Sequence, residues 1–170
     1  FETRRAATRG IYFHKICENY LYNKNISEYQ KKILSYGLFN LVKSEIDRID
    51  NIHAMEKTLY SHSLKLAGRA DCIAEFDGKL SIIDFKTATR PKKKEYITSY
   101  FMQASAYAIM FEERTGIEIN QICILVVTED GVVQEFVKDK TEYIPLLSDT
   151  IKEWEEKNEM VTSTDIAQSV

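Results

Sequence analysis

Asp77-Gly78 lies between two runs rich in apolar residues, Ala70 to Phe76 and Leu80 to Phe85, which is the strongest short-range hairpin signal a chain can carry. A tight two-residue turn of this type needs φ > 0 at both positions, and Asp and Gly tolerate it. If these two residues form the loop, the register follows: Phe76 faces Lys79, and each further pair steps back one residue on the first strand and forward one on the second. Asp71 then faces Asp84, and Arg69 faces Lys86. Alternation is expected to place Asp71, Asp84 and Lys86 on one side, with the carboxylates' Cβ atoms roughly 5 Å apart.

Directly opposed like charges destabilise a sheet, and Ile73, Ile82, Ile83 and Phe85 imply that both faces are partly buried. Unmatched carboxylates there are costly. A divalent cation such as Mg²⁺ resolves the conflict, because hard cations take carboxylate oxygens together with water and phosphate oxygens. Lys86, two residues beyond Asp84, reaches toward the same place. The plainer alternative is a charge cluster in which Arg69 and Lys86 pair with the two acids.

The chain has 170 residues, 44% hydrophobic and 29% charged, which suits one globular domain spanning 1–170 with a single core. No apolar run is long enough to span a bilayer and no signal-peptide pattern opens the chain, so an intracellular protein with no membrane partner is expected. Cys17, Cys72 and Cys123 are widely spaced in apolar patterns and read as reduced core thiols, not as a disulfide or metal cluster. A formal charge of −3 excludes binding nucleic acid by bulk charge, so a polyanion needs a local basic surface. Arg4, Arg5 and Arg9 offer one, and Arg90, Lys92, Lys93 and Lys94 another.

Periodicity predicts a helix over 7–22, with Phe13, Ile16, Cys17, Tyr20 and Leu21 on its stripe, His14 at the stripe edge and Glu18 one turn on. A second helical segment is predicted over 27–50, with Ser27 as N-cap and an interruption at Gly37. A strand over 56–61 follows, on which Glu56 reads as an edge-strand surface charge. After the hairpin come a long helix over about 96–114 that stops at Gly116, a buried strand over 121–128, a partner strand over 132–137, and a helix over about 142–158 with Ile144, Leu147, Ile151 and Trp154 on its stripe. A loose polar tail is expected over 160–170. The order gives an α/β fold: a central mixed sheet of about five strands flanked by helices, with N-terminal helices over 7–50 and the core over 55–158.

Asp71 followed by Asp84-Phe85-Lys86 resembles the PD-(D/E)XK nuclease superfamily. Gly68-Arg69-Ala70-Asp71, Ile83-Asp84-Phe85-Lys86-Thr87, Arg9-Gly10-x-x-x-His14 and Gln103-x-x-x-Tyr107 are similar to motifs of its RecB-type exonuclease branch. The resemblance implies a restriction-endonuclease-like core and a metal-dependent exonuclease acting on DNA ends or single strands. It implies Mg²⁺ or Mn²⁺ held by His14, Asp71, Asp84 and the Phe85 carbonyl, with Glu18 behind the imidazole. Asp71, Asp84, Lys86, Gln103 and Tyr107 become the expected catalytic set. Arg9, Arg69, Thr87, Arg90, Lys92, Lys93, Lys94 and Tyr100 become the expected substrate contacts, with Tyr96 a further stacking aromatic. A replication or recombination partner is implied, in a bacterial or phage-infected cytoplasm or the mitochondrial matrix. A structure- or sequence-specific endonuclease and a non-catalytic DNA-binding module are the alternatives.

Overall fold

The computed structural model describes residues 2–167, with side chains described over 3–158. Five strands form one sheet in the order β1 (Ile49–Ser61), β2 (Leu66–Phe76), β3 (Lys79–Ala88), β4 (Gln121–Thr128) and β5 (Val133–Asp139). All neighbours pair antiparallel except β3 and β4, which run parallel because helix α3 (Thr98–Thr115) carries the chain back between them. Helices α1 (Glu2–Leu21) and α2 (Ile33–Ile46) cover one face, while α3 and α4 (Ile144–Ala167) cover the other. This is the expected mixed sheet flanked by helices.

The sheet separates two cores. Ile122, Ile124 and Val126 of β4 join Phe101, Ala104, Ala108 and Met110 on the α3 side. Cys123, Leu125 and Val127 join Phe13, Ile16, Cys17, Phe39 and Val42 on the other. A strand buried on both faces has no polar side, which is why β4 reads as one apolar run. All three cysteines are buried and free, and all belong to the second core.

Several boundaries differ from expectation. Residues 2–6 extend α1 upstream of 7, but 3–6 are all exposed, so no apolar stripe announced them. The second segment breaks at Lys32, between a 3-10 turn at Ser27–Lys31 and α2; Gly37 lies inside α2 with open space where a Cβ would stand. Ser27 is the first residue of that turn and caps nothing with its side chain. Strand β1 begins at Ile49, inside the span expected to be helix, and its register shifts between Asp50 and Ala54. Helix α3 starts at Thr98 after a 3-10 turn at Lys94–Ile97, and ends as expected at Gly116, φ 72. On α4, Leu147 is buried but Trp154 is 64% exposed, so the stripe does not reach it. Helix α4 runs on to Ala167, past the end expected near 158 and through most of the tail expected to be loose over 160–170; the side chains there and the last three positions lie outside the described residues. Among the described residues no helix is long and apolar enough to cross a membrane.

Candidate metal centre at a forked hairpin

The hairpin turn is as expected, with φ 51 at Asp77 and φ 77 at Gly78. Five pairs follow the anticipated register, from Phe76 with Lys79 to Cys72 with Ile83. There the ladder stops. Beyond Ile83, β3 stays paired with β4 (Asp84 with Ile124, Lys86 with Val126), while Arg69 pairs with Thr58 of β1 and not with Lys86. The gap between β2 and β3 is bridged by a side chain, because the Phe85 N–H donates to Asp71 Oδ2 at 2.9 Å. A strand residue's N–H and C=O point the same way, so the Phe85 carbonyl also faces the gap.

At Asp71 the strand changes face. Ala70 packs in the α3-side core, and Cys72, two residues on, packs in the opposite one. Its partner strand does the same, with Leu59 on the α3 side and Met55 on the other. Between Met55 and Lys57, Glu56 drops out of the ladder at φ 47. A distortion of this kind re-aims side chains that regular alternation would fix. Asp71 therefore does not stand on the Asp84 face by simple alternation, as expected, but lies in the gap, open to both layers.

Two layers meet there. From α1, His14 Nδ1 lies 3.4 Å from Asp71 Oδ1 and 3.8 Å from Glu56 Oε1, with its ring edge-on to Phe85. Burial alone would lower the imidazole's pKa, but Asp71, then Asp84 and Glu56, outweigh it and hold it above its ordinary value. From the α3 side, Lys86 Nζ donates to Asp84 Oδ1 at 2.8 Å and lies 5.0 Å from the Tyr100 ring centroid. Burial opposes that charge too, yet Asp84 beside it raises the lysine's pKa. Asp84 is 4% exposed, and burial first, then Asp71, push it up to about 6. Its Oδ2 lies 2.7 Å from the same ammonium but out of hydrogen-bond alignment, and has no donor.

These donors fit a hard divalent cation. One ligand atom each from His14, Glu56 and Asp71 lie within 4.8 Å of one another, and Asp84, buried and paired with Lys86, is close enough to feel the charges of Asp71 and His14. Glu56, expected to be a surface charge, is thus a half-buried member of the cluster, and Arg69 Nη2 pairs with it at 2.5 Å. Only the register seen here announces it: stepping through the β1–β2 pairs from Ser61 and Leu66 brings Glu56 opposite Asp71. Glu18 lines the same open cleft, of about 490 Å³, but Asp71 and Glu56 are the groups on the imidazole nitrogen.

Helix α3 presents Tyr100, Gln103 and Tyr107 on one stripe. Gln103 is exposed with no side-chain hydrogen bond among the described residues. Tyr107 is buried; burial, then Asp84, raise its pKa, while the nearby Arg69 N–H acts in the opposite direction. Arg90, Lys92 and Lys93 lie exposed on the loop after β3, strapped to β5 where the Lys92 amide and carbonyl both bond the Gln134 side chain; Lys94 follows beside Lys138. Tyr96 is 76% exposed. Arg9 is placed otherwise than a free cation. It is buried, with Nε donating to Thr87 Oγ1 at 3.1 Å and its guanidinium paired with Glu129, which Arg5 also holds.

A sequence profile of the PD-(D/E)XK nuclease superfamily matches residues 15–167. The chain is similar to mitochondrial genome maintenance exonuclease 1 of Homo sapiens, with 29% identity over 135 residues that make up 76% of this chain and 39% of that protein. The protein of the same name from Xenopus tropicalis is 29% identical over 129 residues, 73% of this chain and 37% of that one. The chain thus spans well under half the length of these relatives. The crystal structure of a candidate exonuclease from Eubacterium rectale matches with a TM-score of 0.55 at 7% identity, over 84% of this chain and 63% of that one, a likeness of fold alone.

Proposed function

Because the chain belongs to the PD-(D/E)XK nuclease superfamily, we propose that its domain is a Mg²⁺- or Mn²⁺-dependent exodeoxyribonuclease acting at DNA ends in replication, repair or recombination. The observation that carries the metal-dependent chemistry is the convergence of ligand atoms from His14, Glu56 and Asp71 in the forked hairpin, with the buried Asp84 close enough to feel Asp71 and His14. The names of the curated relatives support the exonuclease mode and fit the mitochondrial matrix. Residues 1–170 would form this single domain.

His14, Glu56, Asp71, Asp84 and the Phe85 carbonyl would hold the cation. When bound, Mg²⁺ or Mn²⁺ polarises a phosphodiester and acidifies water. Lys86, its pKa raised, stays protonated near neutral pH and so acts as a cation, not a base. Fixed between Asp84 and the Tyr100 ring, it stabilises charge that builds on the phosphate oxygens. Gln103, with no partner of its own, and Tyr107 orient the phosphate from α3. Arg69 and the cations from Arg90 to Lys94 guide the strand, and Tyr100 or Tyr96 can stack on unpaired bases. Thr87 and Arg9 are better suited to bracing α1 against β3, which sets the height of His14, five residues along the helix from Arg9.

Incubation with end-labelled linear DNA and with closed circles, in Mg²⁺ or in chelator, tests this. Metal-dependent release of terminal nucleotides, with circles untouched, is expected. Cleavage of circles would replace the exonuclease with an endonuclease, and retention of DNA without cleavage would leave a binding module.

A further inference from the structure

Gly68 lies on β2 opposite Leu59, one residue before Arg69. Its φ lies outside the left-handed region, so the backbone itself does not require glycine. Space does. A Cβ on Gly68 would stand 2.6 Å from Tyr107 Cε1, 2.9 Å from its hydroxyl oxygen and 3.2 Å from Cζ. The first two separations are too short for real atoms, and the obstacle is not a floppy side-chain end. Tyr107 is a flat ring that is 7% exposed, rooted in α3 among Leu59, Ala104 and Ala108, so it yields only by moving the phenol as a whole.

The direction of that movement matters. Where the ring now lies, its oxygen is near enough to the Arg69 backbone for that N–H to favour negative charge on it. The phenol is close enough to Asp84 and Asp71 to feel both charges. An alanine at 68 would push the phenol off its present place and shift it relative to both acids.

We propose that Gly68 is a positioning residue for Tyr107: its bare Cα is the seat on which the phenol lies, aimed at the phosphate of a DNA strand bound over Asp71 and Asp84. This rests on the nuclease reading above. Gly68 itself touches neither substrate nor cation, so its effect must travel through the tyrosine.

The test is a cycle of Gly68→Ala and Tyr107→Ala, singly and together, with Tyr107→Leu as a second ring-less background should the alanine variant fold poorly. Cleavage of end-labelled DNA, Mn²⁺ affinity by calorimetry without DNA, and Tm are measured for each. Gly68→Ala alone is expected to lower kcat about 10- to 100-fold, the loss of a hydrogen bond to a charged group, with Mn²⁺ affinity unchanged and Tm lowered by about 2–4 °C. Without the ring, the same substitution should leave kcat where Tyr107→Ala put it and raise Tm, because alanine restricts the unfolded chain more than glycine does. Equal activity of Gly68→Ala and wild type, the same fold-loss in both backgrounds, or Mn²⁺ affinity falling in step with kcat would overturn the seat. A wild-type protein that cleaves no DNA in Mg²⁺ would sink the nuclease reading instead, and the reversal of the Tm shift would still decide whether the ring sits on Gly68.

Discussion

The two ends of the β2–β3 hairpin obey different rules. At the turn end, five residue pairs close a regular ladder, apolar residues fill both faces, and the charges of Asp77 and Glu135 are met at the surface by Arg48. At the open end the ladder stops, Asp71 takes the place of a backbone acceptor for Phe85, and Asp84 is buried with the Lys86 ammonium against both its oxygens. The first end is built for stability. The second gives up backbone pairing and solvates its acids poorly, an arrangement found where a site must hold something else.

If that division is right, substitutions at the open end should cost activity and spare the fold. Asp84→Asn and Lys86→Ala should each lower the rate on end-labelled DNA by on the order of 10²–10³ or more, while far-UV circular dichroism stays unchanged. An active Lys86→Ala enzyme would remove the lysine from the chemistry. His14→Ala and Glu56→Ala come next, with Mn²⁺ affinity lower by about 10- to 100-fold in calorimetric titration. Unchanged affinity in Glu56→Ala would return that residue to a partner of Arg69 alone.

The pH dependence sharpens the same contrast. Burial and Asp71 raise Asp84 to about 6, so in the metal-free protein the protonated acid is favoured, and that contribution to stability is lost as pH rises from about 4 to about 6. His14 is raised as well, chiefly by Asp71 against the effect of burial; its contribution is full below about 6.5 and fades as pH rises through its folded value. A cation needs both groups deprotonated, so apparent Mn²⁺ affinity should climb with pH up to about 6 and beyond, then level once His14 has titrated. Affinity that is flat from pH 5 to 8 would separate these groups from the metal. The smallest effect is expected at the turn: Gly78→Ala, at φ 77, should cost about 1 kcal/mol in denaturant unfolding with no change in activity per folded molecule.

The hairpin and β4 were legible because their signals are local: a two-residue turn and an unbroken apolar run. Counting outward from the turn brings Asp71 and Asp84 to the same open end of the hairpin, but the direct pair it expects does not form, because the ladder ends at Cys72 and Ile83. What escaped depends on departures from regularity or on distant partners. Glu56 reads on a strand, but as a surface charge; it joins the site only because β1 and β2 change face together around it. Arg9 reads as a free cation until Glu129, 120 residues away, covers it. Gly68 reads as a motif letter until the Tyr107 ring fills the space beside it.

The fork is built to seat a divalent cation, and anomalous diffraction from crystals soaked in Mn²⁺ tests this most directly. A peak is expected within about 2.2 Å of carboxylate oxygens of both Asp71 and Asp84, with the Phe85 carbonyl turned toward it. Crystals of a protein that cleaves DNA but shows no peak in that gap, or one held only by residues elsewhere, would contradict it.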